Sequence, residues 1–180
     1  MPSTAADAKG LLTTAIRDDD PVIFFEHKTL YGLQGDVPEG DYLIPFGKAR
    51  MVSEGEDCTL VATGRMVSFC EDAANALSAD GISCDIIDPR TTSPLDEDAI
   101  LDSVEKTGRL IVVDETPPRC SFAADIAALA ASEVFSSLKA PIKTVTGPHS
   151  PVPFAKELET AFLPSPVKIK TVIEQTVNFS

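Results

Sequence analysis

Tryptophan is absent from the 180 residues, and histidine occurs only at His27 and His149. That supply of imidazole is too small for a histidine-rich metal site or a set of acid–base relays. The four cysteines, Cys58, Cys70, Cys84 and Cys120, lie far apart and never form C-x-x-C. Reduced, buried thiols are therefore expected rather than disulfides or a zinc site. Positive charge is also scarce: 15 Lys and Arg against 28 Asp and Glu give a net charge of −13. This speaks against a nucleic-acid partner, because phosphate binding needs clustered cations, and leaves a basic protein partner open. No apolar run has the length of a membrane span, and the first residues lack a charged-then-apolar secretory pattern. The expectation is a cytoplasmic globular chain with no membrane partner.

What is present is a strand–helix alternation from Asp57 to Glu115. Thr59–Thr63 is a short apolar run, and Val67, Cys70, Ala74 and Leu77 then recur at steps of three and four, marking one helical face over 67–79. Gly81 stands in the post-helical place. Cys84–Asp88 is the next strand. Asp96 is the expected N-cap of a second helix ended by Gly108, and Leu110–Val113 is a third strand, apolar throughout as strands covered on both faces are. Ala123–Leu138 reads as a helix, Ile142–Thr146 as a strand, and Ser165-Pro166 as the start of a last helix. The pattern predicts an α/β fold, a three-layer sandwich on a mostly parallel central sheet with right-handed crossovers.

Before this core, Asp7–Ile16 reads as a helix and Val22–Phe25 as a strand. Residues 26–48 carry scattered Gly and Pro without a sustained period, as an extended connection does. The domain division expected is 1–46 and 47–180. Three aspartates, Asp18 to Asp20, follow the first helix, where the helix end is already partly negative. Either water and Arg17 absorb the repulsion or a cation sits there on hard oxygen ligands; the solvated acidic loop is the plainer reading.

The remaining motifs assemble no catalytic constellation. Gly64-Arg65 stands at the first strand-to-helix turn but belongs to no phosphate-binding loop. Arg90 either grips an anion or pairs with Asp88 or Asp114, and the structural role is favoured. Cys120 follows Arg119 near a helix start, yet no histidine base is near it in sequence, which argues against a nucleophile. His149 lies in the rigid loop Gly147-Pro-His-Ser-Pro-Val-Pro153, where a structural or interface role is favoured.

Several motifs in fixed order carry a resemblance. Pro2-Ser-Thr with Asp7-Ala-Lys-Gly-Leu-Leu12, Ala15-Ile-Arg-Asp-Asp-Asp-Pro-Val-Ile-Phe-Phe-Glu26 and Ile44-Pro with Gly47-Lys-Ala belong to it. So do Asp88 to Asp96, Lys106-Thr-Gly-Arg-Leu-Ile-Val-Val-Asp-Glu115 and Pro151-Val-Pro-Phe154. Together they resemble the β subunit of the E1 component of thiamine-diphosphate-dependent 2-oxo acid dehydrogenases, over essentially the whole chain. Pro118-Arg-Cys-Ser121 and Gly147-Pro-His-Ser150 look most like the acetoin dehydrogenase type, with the pyruvate and branched-chain types as alternatives.

The resemblance implies that residues 1–46 are the tail of a pyrimidine-binding domain and 47–180 a transketolase-type C-terminal domain. It implies an oxidoreductase that cleaves acetoin or decarboxylates a 2-oxo acid on thiamine diphosphate and Mg²⁺ and passes the acyl group to lipoamide. The family's activating glutamate and active-site histidine have no counterpart here, so no catalytic or cofactor-binding residue is assigned and the chain alone is expected to be inactive. A K⁺ site in some members matches Ala15, Ile16, Asp18 and Asp20, with Asp20 standing where those members usually carry Asn. The implied partners are an E1 α subunit, a second β subunit, and the basic peripheral-subunit-binding domain of E2, docked by Phe179 and Ser180. A stand-alone docking module is the rival reading.

Overall fold

A computed structural model describes residues 1–179. In chain order the elements are α1 (Ala5–Arg17), β1 (Arg50–Ser53), β2 (Cys58–Ala62), α2 (Arg65–Ser78), β3 (Cys84–Asp88), α3 (Glu97–Thr107), β4 (Leu110–Val113), α4 (Phe122–Glu133), β5 (Lys143–Val145), α5 (Lys156–Phe162) and α6 (Pro166–Val177). The sheet has five strands in the order β1-β3-β2-β4-β5, with β1 antiparallel to β3 and the other pairs parallel. This is the three-layer α/β sandwich that the alternation predicts.

Every residue of β2, β3 and β4 is buried, because helices cover both faces. Successive side chains of a strand point to opposite layers. Leu60 and Ala62 join Met66, Cys70 and Leu77 of α2 and Ile169 and Ile173 of α6. Val61 instead joins Ile100 and Val104 of α3 and Ile126 of α4. Cys58, Cys70 and Cys84 all lie in the first layer as free, buried thiols, whereas Cys120 is exposed. Burial pushes the Cys84 thiol up to about 12 and raises those of Cys58 and Cys70 as well.

Several local expectations need correction. Val22–Phe25 is not a strand: it runs without a ladder, and Ile23 and Phe25 are 81% and 62% exposed. The helix expected to reach Leu138 stops at Glu133 and gives way to a 3₁₀ turn at Phe135–Ser137. Asp96 does stand at the N-cap position of α3, as expected, but its side chain makes no capping bond; its Oδ2 accepts from Ala49 N at 2.8 Å and so holds the chain just before β1. Strand β1 and helix α5 were not expected at all. Ser165 does cap α6, with Pro166 at the first helical position.

Helix α1 is part of the same packed body. Thr4 caps it, and its Gly10 faces the returning chain so closely that a Cβ there would lie 2.6 Å from Ile44 Cγ1 and 2.7 Å from Tyr42 Cε2. The Tyr42 hydroxyl donates to Ala6 O at 2.5 Å, and Ile44 O accepts from Thr14 Oγ1 at 2.8 Å.

Candidate functional site

An open parallel sheet takes ligands beyond the carboxyl ends of its strands, at the point where the strand order reverses. Here β2 leads through α2 to β3 on one side, and β4 leads through α4 to β5 on the other. The reversal therefore falls between β2 and β4. Each part of this edge is filled by the chain's own side chains.

Between β2 and β4 stands His27, which precedes a 3₁₀ turn at Lys28–Leu30. Its Nδ1 accepts from Thr29 N at 3.3 Å and lies 2.8 Å from Thr29 Oγ1. The ring proton is thereby left on Nε2, which donates to Glu115 Oε2 at 2.7 Å. Gly64, the residue before α2, has φ +54, and a Cβ on it would come within 3.9 Å of His27 Cβ. Between β4 and β5 the edge is closed by Phe162 of α5: a Cβ on Gly147 would lie 2.7 Å from its ring and 3.1 Å from Glu115 O.

Beyond β3 a charged cluster joins the edge to α1. Asp88 is fully buried, and its Oδ1 accepts from Arg90 N at 2.9 Å. The Ser3 hydroxyl donates to its Oδ2, and Arg50 Nη2 lies 3.5 Å away. Asp7, 2% exposed, takes Arg90 Nη2 at 2.7 Å and has Arg50 Nε at 3.4 Å. The Met1 ammonium donates to Arg90 O at 2.7 Å. Burial pushes the Asp88 carboxyl above its usual value, against the pull of Ser3, the Arg90 amide and Arg50. Burial also lowers the Met1 amine, with Asp88 and Asp7 opposing.

The structure thus gives Arg90 the tying role but a different partner. Its guanidinium pairs with Asp7, and only its backbone amide, at a left-handed φ of +61, bonds the Asp88 carboxylate. The readable sign was the spacing of Asp7 and Leu11, four apart and both buried, which puts a carboxylate on the inward face of α1. Asp114 binds the Thr116 amide and hydroxyl within its own loop. His149 is exposed in the Pro-rich loop, and Cys120 is exposed at φ +51 just before Ser121, which caps α4.

Ala15 and Ile16 occupy the last turn of α1, whose carbonyls have no later helical amide to accept. Asp18 and Asp20 are exposed, and Asp18 Oδ1 accepts from Asp20 N at 2.9 Å. Both line an open groove with Pro21, Phe24, Thr91 and Pro94. Phe179 lines another groove with Phe135, Leu138, Lys139, Pro141 and Ile142. Ser180 lies outside the described residues.

The residues present do not fit a diphosphate and its magnesium. The carboxyl edge is filled, and Arg65 beside Gly64 is turned onto the Phe69 ring, 4.7 Å from its centroid. Among the described residues no three His, Cys, Asp or Glu side chains come together to hold a metal ion. No helix among them is long and apolar enough to cross a membrane.

The fold is that of a known domain class. The transketolase C-terminal domain family matches over residues 47–169, and the chain belongs to it. A solved split-gene transketolase, described as an inactive β4 tetramer, superposes with a TM-score of 0.67 over 79% of this chain and 45% of that one; at 21% identity it shows the shared fold alone. The chain is 56% identical over 96% of its length to the β subunit of acetoin:2,6-dichlorophenolindophenol oxidoreductase of Bacillus subtilis. It is 45% identical over 97% of its length to the pyruvate dehydrogenase E1 component subunit β of Rickettsia bellii. It spans about half the length of these curated relatives, 50% and 54% respectively.

Proposed function

We propose that this chain serves as the C-terminal part of the E1 β subunit of an acetoin-cleaving thiamine-diphosphate enzyme, with residues 1–46 the tail of the preceding domain. Its similarity to the acetoin enzyme's β subunit, 56% over 96% of its length, carries the reading. The complete enzyme cleaves acetoin on thiamine diphosphate and passes the acyl group to an acceptor such as lipoamide. Thiamine diphosphate supplies the carbanion chemistry and, with Mg²⁺, is held elsewhere in the assembly. This chain's contribution is association with an E1 α subunit and a second β subunit.

An assay of the enzyme assembled with its α subunit tests this. Acetoin should reduce 2,6-dichlorophenolindophenol faster than pyruvate or a branched-chain 2-oxo acid does, and the reverse order would remove the acetoin assignment. Calorimetric titration of the chain alone with thiamine diphosphate and Mg²⁺ should give no binding heat; micromolar affinity would overturn the division of labour.

A docking role accompanies this reading. The groove of Phe135, Leu138 and Phe179 offers apolar contact, and the net charge of −13 suits the basic peripheral-subunit-binding domain of E2. Such binding should weaken steeply with salt and fall on Phe179→Ala. Salt-independent binding would remove the charge-driven contact. A K⁺ ion on the carbonyls of Ala15 and Ile16 and the carboxylates of Asp18 and Asp20 belongs to the same proposal. Three buried thiols suit a reducing compartment, which favours the cytoplasm.

A further inference from the structure

The space above the carboxyl ends of β2 and β4 is where this topology would receive a ligand. In this chain it receives His27. The imidazole is engaged at both nitrogens, with Glu115 Oε2 at 2.7 Å and Thr29 N at 3.3 Å. The His27 and Glu115 side chains are only 27% and 25% exposed. Most of the segment around His27 is exposed. This hydrogen bond ties residues 18–40 to the loop after β4, while Lys9 Nζ donates to Pro38 O and ties them to α1. A half-buried ring, hydrogen-bonded at both nitrogens on a mostly exposed stretch, has the character of a bound group rather than of core packing.

We propose that His27 is a built-in ligand: the crevice between Gly64 and Glu115 is a binding site for a neutral heteroaromatic N–H donor, kept closed by the chain's own imidazole. The ligand class follows from the partners. The Glu115 carboxylate accepts one N–H, and Gly64 lies beside His27, where a Cβ on it would stand 3.9 Å from the His27 Cβ. Arg65, the cation next to Gly64, is engaged with the Phe69 ring, and the polar group at the site is a carboxylate, which repels a phosphate or carboxylate ligand. Acceptor-only rings and anions are refused by the carboxylate. The inference does not depend on which substrate the complete enzyme uses.

The test removes the ring and returns it free. The full chain carrying His27→Gly is titrated with imidazole, at a pH where the free base is neutral, while the amide resonances of Gly64 and Glu115 are followed. Saturable binding in the millimolar range is expected for the variant, and no saturable shift for the parent. His27→Gly with Glu115→Gln should bind at least about tenfold more weakly, the scale of a hydrogen bond to a charged acceptor. No saturable binding to His27→Gly overturns the proposal, and so does equal binding with and without the Glu115 carboxylate. Should His27→Gly not fold, Glu115→Gln alone decides by hydrogen exchange. Exchange at Thr29 and Leu30 faster than in the parent supports the plug, and unchanged exchange overturns it.

Discussion

The carboxylate of Asp7 and the guanidinium of Arg90 meet at 2.7 Å, joining the first helix to the loop after β3. Asp7 is 2% exposed, so removing its partner strands a buried charge. Breaking a buried pair in this way costs about 3–5 kcal/mol, and less here because Arg50 also faces Asp7 and Arg90 is partly exposed. Arg90→Ala should therefore lower stability by roughly 2–4 kcal/mol in urea unfolding. Arg90→Gly loses the same pair but relieves a left-handed φ of +61, so it should be about 1 kcal/mol less damaging. Equal losses would show that the backbone at this position is unstrained.

Asp88 adds a pH dependence of definite sign. Its folded-state pKa is raised above the ordinary aspartate value by burial, so the native chain binds this proton more readily than the unfolded chain. The contribution to stability is therefore full at acid pH and falls as pH rises through the raised value. Asp88→Asn removes that titration. The melting temperature of the parent minus that of the variant should shrink, or change sign, from the acid end of the carboxylate range to neutrality. A difference that grows with pH would contradict the burial argument.

Gly10→Ala sets two effects against each other. Alanine in a helix interior is favoured over glycine by about 1 kcal/mol. The added methyl would meet Ile44 and Tyr42 side-chain atoms at 2.6–2.7 Å, and overpacking costs about 1–3 kcal/mol. The clash should win, and the 42–44 segment should exchange its amides faster. A variant more stable than the parent would mean that the segment yields without loss.

The proposed K⁺ site yields a direct comparison. Potassium chloride should raise the melting temperature of the chain above that in choline chloride at equal ionic strength, and the gain should vanish with Asp18→Ala and Asp20→Ala together. Identical melting in both salts would leave the three aspartates as a solvated loop.

Much of this architecture was readable because local and global signals agreed. Strands β3 and β4 have the bounds their apolar runs predict, and Ser165-Pro166 begins α6 as its capping chemistry requires. What escaped lacked a local signal. Strand β1 has only four residues, and Met51 within it is exposed, so no alternation marks it. Helix α5 buries only Phe162. The apolar run Val22–Phe25 misled because strand propensity requires a neighbouring strand to satisfy it. The His27–Glu115 and Asp7–Arg90 contacts are tertiary and have no spacing to betray them, although the inward position of Asp7 was visible in its distance from Leu11.

The distribution of the four thiols gives the molecule an internal clock. A thiol-reactive dye in excess should take Cys120 at once, because that side chain stands in solvent, while Cys58, Cys70 and Cys84 wait until the layer between the sheet and helices α2 and α6 opens. The slow labelling then counts openings of that layer without any engineered probe. Its rate, measured with and without a partner subunit, would show whether assembly stills the core or leaves it breathing.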